Sequence, residues 1–462
     1  MDLRAYFLRA VVPCTCSGAR ANDKVPTKPL GDGRPREFKV NQSQINTRMT
    51  FWLKVLAFLS ITLVYTILRS AETVTDTLMP SMLVPNIAQG YGVDLSRVQI
   101  GINLLRDQPL YYWETRRFGL VGMYPIGMAL LVAPLQALLW ALADLTGMEV
   151  SVVSSQFAQT RYILEKITSS CIETLAALYV FGSLRLLIRH GHAILVTALY
   201  ILGSSSVSLL AQGLWQQTGI NLLTSMLLFF LLSHRERPSF SREILFFAAI
   251  GFLFAIRPTS IVWSVFFAGA YWVTFGRPSL AGLLAAGLAM CPALCWNIAI
   301  FGHPIGGYAV TRAVNFDWNP REWAARVLPI LFSSHKGLLV FNPFLWCLVP
   351  LWLCRKRLES RLHAIVVTLL CAELCNFALC CTNPNWHAGR GFGPRYMAES
   401  LGVLFVLSAI GISHVRERFP RVTKVGVAIV AMYSVTLHVF GAIGARLDSE
   451  ALIDLHQRML MP

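Results

Sequence analysis

FSREILFFAAIGFLFAIRPTSIVWSVFFAGAYWVTFGRPS, residues 240 to 279, decides what kind of protein this is. Its apolar run from 244 to 275 is too long for one crossing of a bilayer core, which takes about 20 residues. It is interrupted at Arg257-Pro258-Thr259, so it reads as a pair of membrane helices joined by a charged break. A charge at such a depth is costly unless solvated or paired, and by default it marks a functional cavity. The alternative is an arginine snorkelling from a helix end.

Outward from this pair, further apolar runs lie at about 51 to 68, 120 to 142, 167 to 188, 193 to 211, 217 to 232, 279 to 300, 338 to 353, 362 to 381, 397 to 413 and 421 to 443. The expectation is an all-α polytopic bundle of about eleven to thirteen transmembrane helices. The composition agrees: of 462 residues, 55% are hydrophobic and 14% charged, outside the range of soluble globular proteins. Three parts follow: a basic, disordered arm at 1–50, a membrane module at 51–445 and a short tail at 446–462. About fifty mostly polar residues precede the first span, unlike an ordinary cleaved signal peptide.

The net charge of +16 does not read as nucleic-acid binding, because the basic residues fall in short loops at helix ends. Arg4, Arg9, Arg20, Lys24, Lys28, Arg34, Arg36, Lys39 and Arg48 place the N-terminus in the cytoplasm, and the expected location is the cell inner (cytoplasmic) membrane. Arg235 to Arg242, Arg355 to Arg361 and Arg416 to Lys424 share that side, which puts the first loop, QGLWQQTG around Trp215, the break at Arg257 and the loop around His387 outside. Arg185, Arg189 and His190 also read as cytoplasmic, so 120 to 168 must cross twice or re-enter; the other option places that cluster outside.

Of the eleven cysteines, most lie inside the spans and behave as small apolar residues. Cys14 and Cys16 form a C-x-C without a nearby histidine. No P-loop or G-x-G-x-x-G is present, which argues against a pump with its own nucleotide site. No cofactor and no metal ligand set is read, with a divalent ion left as an open alternative.

Two loops carry chemistry. AETVTDTLMPSMLVPNIAQGYGVDL, from Ala71, holds Glu72 and Asp76 just beyond the first span, ahead of a segment suited to lying on the membrane surface. NPNWHAGRGFGPRY, from Asn383, holds His387, Arg390 and Arg395 among glycines, a pattern that offers guanidinium forks and backbone N–H groups to a phosphate. The plain readings are a solvated acidic loop and a tight turn. Asp94 is closer to the first of these. Tyr124 is read either as an interfacial aromatic or, with Trp215, Gln216 and Trp386, as a substrate contact.

The ordered strings TDTLMPSMLVPNI, GLVGMYPIGMALLVAP, LEKITSS, QGLWQQTG, RPTSIVW, FGHPIGGY, KGLLVFNPFLW and WHAGRGFGPRY resemble the GT-C superfamily of integral-membrane glycosyltransferases, over about residues 50 to 410. That superfamily includes the protein O-mannosyltransferases and the aminoarabinose transferase of lipid A, and the nearest resemblance is to bacterial GT-C-like membrane proteins. The resemblance implies sugar transfer, with inversion, from a polyprenyl-phosphate donor to a hydroxyl of a glycan, lipid or protein. It implies Asp76 as general base with Glu72 beside it, and Arg390, Arg395, Arg257 and His387 at the donor phosphate. Such relatives often carry histidine where this chain has Gln217. A transporter or flippase of lipid-linked sugars and a non-catalytic assembly protein are the alternatives from other classes.

Overall fold

A computed structural model describes residues 42–68, 75–98, 112–115, 117–310, 317–334, 336–387 and 392–443. Glu72, Arg390, Cys14, Cys16, most of the N-terminal arm and the C-terminal tail lie outside the described residues, as does the side chain of Asp76. From Leu53 onward the chain forms one compact unit.

The chain is a multi-pass, all-α membrane protein. Its helices are α1 (Gln42–Ile67), α2 (Thr75–Ala88), α3 (Gly127–Leu145), α4 (Phe157–Arg185), α5 (His190–Leu202), α6 (Gln216–Glu236), α7 (Phe240–Ile256), α8 (Ile261–Phe275), α9 (Leu280–Phe301), α10 (Pro320–Phe332), α11 (Leu348–Cys354), α12 (Ser360–Thr382), α13 (Leu401–Arg418) and α14 (Pro420–Ile443). The β structure among the described residues is a single hairpin of β1 (Tyr112–Thr115) and β2 (Gly119–Gly122), paired antiparallel. Seven described helical runs are long and apolar enough to cross a bilayer, and the shorter α7, α8 and α11 pack against α9, α12 and α13. The run expected at 338 to 353 is instead three short pieces, Leu338–Phe341, Pro343–Cys347 and α11, because Pro343 and Pro350 cannot supply helix N–H groups.

The pair around Arg257 forms as its sequence requires. Arg257 is extended (φ −155°, ψ 121°), the region favoured ahead of proline, and Pro258 opens a short 3₁₀ turn before α8. Small residues set the packing. A Cβ on Gly251 would come within 2.0 Å of the Ala286 carbonyl oxygen, so α7 and α9 touch backbone to backbone. Layering follows burial: the run Arg395–Arg416 is 78% buried, against 11% for α9 and 22% for α14. α13 is therefore the centre, and α9 and α14 face lipid.

A second, smaller core sits apart from the main one. Met79, Met82 and Leu83 of α2 pack with Leu95, Met123, Tyr124, Trp140, Val152, Phe157 and Leu164. α3 belongs to this cap. It is long and apolar enough to cross a bilayer. Gly127 abuts Ala255 and Ile256 at the end of α7. At its other end Trp140 stacks on Phe157 at 5.2 Å, and the Gln89 side chain bonds the backbone of Val150 and Val152. α3 also packs along α4, where the Gln136 amide donates to the Thr168 hydroxyl at 3.0 Å, and α4 carries the chain on to the end where Arg185 lies. α4 is longer than its hydropathy suggests, because Arg161, Glu165 and Lys166 lower the apolar signal of a first third buried under the cap.

Candidate functional site

The first third of α4 is a post against which the cap and the bundle meet. Arg161, Glu165 and Lys166 are each 3% exposed, at spacings that put the first two on one face. Arg161 pairs with Glu165 and donates to the Ser81 hydroxyl of α2 at 2.9 Å. Glu165 accepts the Leu214 N–H at 3.1 Å, while Lys166 donates to the Ala211 carbonyl at 2.7 Å and to Gln212 at 2.9 Å. Gln212 in turn donates to the Leu68 carbonyl at 3.0 Å, where α1 ends. Buried charges hold such positions only when paired and hydrogen-bonded, so the 211–215 loop is tightly fixed.

That loop presents Trp215, 2% exposed, with Arg395 above it at 4.4 Å from guanidinium carbon to ring centroid. Arg395 also reaches Tyr396, at 5.8 Å. A cation over an indole face is attracted to the ring quadrupole and stays oriented. Arg257 approaches the same tyrosine, 5.2 Å from its ring, and pairs with Glu399 at 3.0 Å. Glu399 also accepts from the Trp263 indole at 3.3 Å. Arg257 is thus an ion-paired group inside the fold rather than a snorkelling one.

The first turn of α2 completes this region. A Cβ on Gly213 would stand 3.2 Å from the Thr77 methyl, so the turn carrying Asp76 rests on the loop that ends in Trp215. A carboxylate in the first turn of a helix is also favoured by the macrodipole. Gln216 spans two other parts: its amide donates to the Ile256 carbonyl at 3.0 Å and accepts the Tyr308 hydroxyl at 2.6 Å. Tyr308 meets Tyr124 edge to face at 6.0 Å, and Tyr124 is 8% exposed in the cap core, not on a membrane belt.

Trp215, Gln216, Arg257, Arg395 and Tyr124 therefore converge, together with the backbone of Asp76. His387 is exposed, its ring 6.0 Å from that of half-buried Trp386, which packs on the main core. Asp94 caps a short turn, accepting from the N–H groups of Ser96 and Leu120 at 2.9 and 3.0 Å, a structural role. Among the described residues no group of three His, Cys, Asp or Glu side chains could hold a metal ion. Sequence reasoning did not single out Arg161, Glu165, Lys166, Tyr308, Tyr396 or Glu399. An available signal was Glu399 itself, an acid inside the apolar run 397 to 413.

No protein-family model and no curated protein matches the chain. Among solved structures it is similar to ArnT from Cupriavidus metallidurans bound to undecaprenyl phosphate, with a TM-score of 0.50 and 12% identity, covering 88% of this chain and 73% of that one. What the similarity establishes is architecture: this chain has a polytopic helical membrane fold like that of ArnT.

Proposed function

We propose that the chain is a membrane glycosyltransferase that moves a sugar from a polyprenyl-phosphate donor to an acceptor hydroxyl on the outer face of the cytoplasmic membrane. The supporting observation is the meeting, at one end of the bundle, of the turn bearing Asp76 with Trp215, Arg257 and Arg395. A base and a phosphate-binding cation brought to one place suit a displacement at an anomeric carbon. The acceptor oxygen bonds to that carbon, its proton passes to Asp76, and the carbon–oxygen bond to phosphate breaks with inversion. Polyprenyl phosphate leaves with the electron pair, and Arg395 with Arg390 and His387 meets its charge. Arg257, held by Glu399, orients rather than adding net charge, and Glu72 assists Asp76. Tyr124, Trp215, Gln216 and Trp386 shape the sugar and isoprenoid surfaces.

Purified protein in proteoliposomes, given a polyprenyl-phosphate sugar and a panel of glycan, lipid and peptide acceptors, should release polyprenyl phosphate in step with a glycosylated product. Movement of intact donor across the bilayer without release would support the transporter reading instead.

A further inference from the structure

α14 is mostly exposed to lipid, yet one stripe of it, Ser434, Leu437, His438, Gly441 and Ala442, is buried. Two of these residues touch the cationic loop or its support. His438 is fully buried and uses both ring nitrogens. Nε2 lies 2.7 Å from the Phe341 carbonyl oxygen and Nδ1 lies 2.7 Å from the Ser208 hydroxyl. A carbonyl only accepts, so Nε2 carries the proton and Nδ1 accepts from Ser208, which fixes one tautomer. A histidine at this depth with a single hydrogen-bonded arrangement is a rigid strut between the Ser205–Ser208 turn and the segment carrying Phe341.

One turn further on, Gly441 makes a notch. A Cβ there would fall 2.3 Å from the ring of Phe392. Phe392 therefore occupies the space of a missing side chain, and it packs edge to face on Phe341, with ring centroids 5.2 Å apart, and 6.1 Å from His438. The chain from Phe392 to Arg395 has little slack. Gly393 is left-handed (φ 79°), a Cβ on it would press within 3.0 Å of Phe341, Pro394 follows, and the Arg395 N–H bonds the Gly393 carbonyl at 3.0 Å. Three residues beyond Phe392 stands the Arg395 guanidinium over Trp215.

We propose that α14 positions the cationic loop for its lipid ligand: His438 and Gly441, one turn apart, hold Phe341 and Phe392 and so set where Arg395 stands over Trp215. The proposal rests on the donor-phosphate role of Arg395 given above. His438 and Gly441 are positioning residues, reaching the ligand only through Phe392 and the Gly393-Pro394 turn. A group misplaced by about 1 Å can lose on the order of 10²-fold in effect, so filling the notch is a sensitive intervention.

The test is titration of purified protein with polyprenyl phosphate, with thermal melting as a check on folding. Arg395→Ala is the positive control. Gly441→Val should raise the Kd by about tenfold or more while leaving the acceptor KM unchanged, a split that general loosening does not produce. Phe392→Ala should weaken binding similarly, and Gly441→Val added to Phe392→Ala should cost almost nothing further in affinity, since the displaced ring is already gone. His438→Gln, which keeps one donor and one acceptor, should retain more affinity than His438→Ala. Wild-type affinity in folded Gly441→Val, or in folded Phe392→Ala should the valine variant not fold, overturns the positioning role while the Arg395 control still stands. No lipid-phosphate binding by the wild type removes the donor-phosphate reading and this proposal together.

Discussion

Arg395 lies over the indole of Trp215, 4.4 Å from its centroid, although the two come from loops far apart in the sequence. The contact joins the Gly-rich loop to the loop anchored on α4, and through Gly213 to the turn that carries Asp76. If this is where lipid phosphate binds, Arg395→Ala should weaken binding of polyprenyl phosphate and Arg395→Lys should restore it only in part, because an ammonium keeps the charge and loses the planar fork. Trp215→Leu should cost about 0.5–2 kcal/mol of the same binding through the lost cation–π contact. Unchanged affinity in both Arg390→Ala and Arg395→Ala would return the glycines of that loop to a simple turn.

Asp76→Asn should leave the protein inserted and its lipid-phosphate affinity nearly intact while slowing transfer by about 10² to 10⁴, the usual range for a general base. Glu72→Gln should be milder. Turnover assays beside binding titrations separate the two effects, and full activity of a correctly inserted Asp76→Asn protein would favour a transporter or an assembly role.

Arg257 and Glu399 form a buried pair, with side chains 16% and 3% exposed. Arg257→Gln strands the Glu399 carboxylate and should destabilise the protein by about 3–5 kcal/mol, as loss of one partner of a buried pair does. Combining it with Glu399→Gln should recover most of that stability in a melting experiment but not the transfer rate. Recovery of both would make the pair purely structural.

Topology offers a test that needs no substrate. Ser155 in the α3–α4 loop and His387 should be labelled from the same side of the membrane, and Arg189 from the other, when each is replaced by cysteine in a cysteine-free background and treated with an impermeant reagent. A split between Ser155 and His387 would mean that α3 crosses the bilayer once.

Outside the spans, the Asn319 N–H and the Arg326 guanidinium hold the Asp317 carboxyl below its ordinary value. A depressed carboxylate stabilises the folded loop above its unfolded pKa and loses that contribution as pH falls through the folded one. The 317–332 segment should therefore be indifferent to pH from neutrality down to about 4 and loosen below that. Fluorescence of Trp323, whose indole donates to the Asp317 carbonyl, reports the change, and Asp317→Asn should reproduce it at neutral pH.

Much of this was legible in order along the chain. The break at Arg257-Pro258 gave two helices because proline restricts its predecessor wherever it occurs, and a bilayer-length apolar run needs no partner to be recognised. The same local rules failed at 338 to 353, where two prolines split an apolar run, and at α4, where buried charges hid the helix from a hydropathy reading.

By itself the sequence determined that the chain is a polytopic helical membrane protein, and it marked Arg257, Arg395 and Trp215 as residues in need of an explanation. Only the tertiary structure decided that α3 packs into the smaller core with α2, that Arg257 is matched by Glu399, and that Arg395 stands on Trp215. The physical reason is range. Hydropathy and backbone stereochemistry act within a turn or a span, whereas the worth of a buried charge is set by a partner that packing brings in from a distant helix.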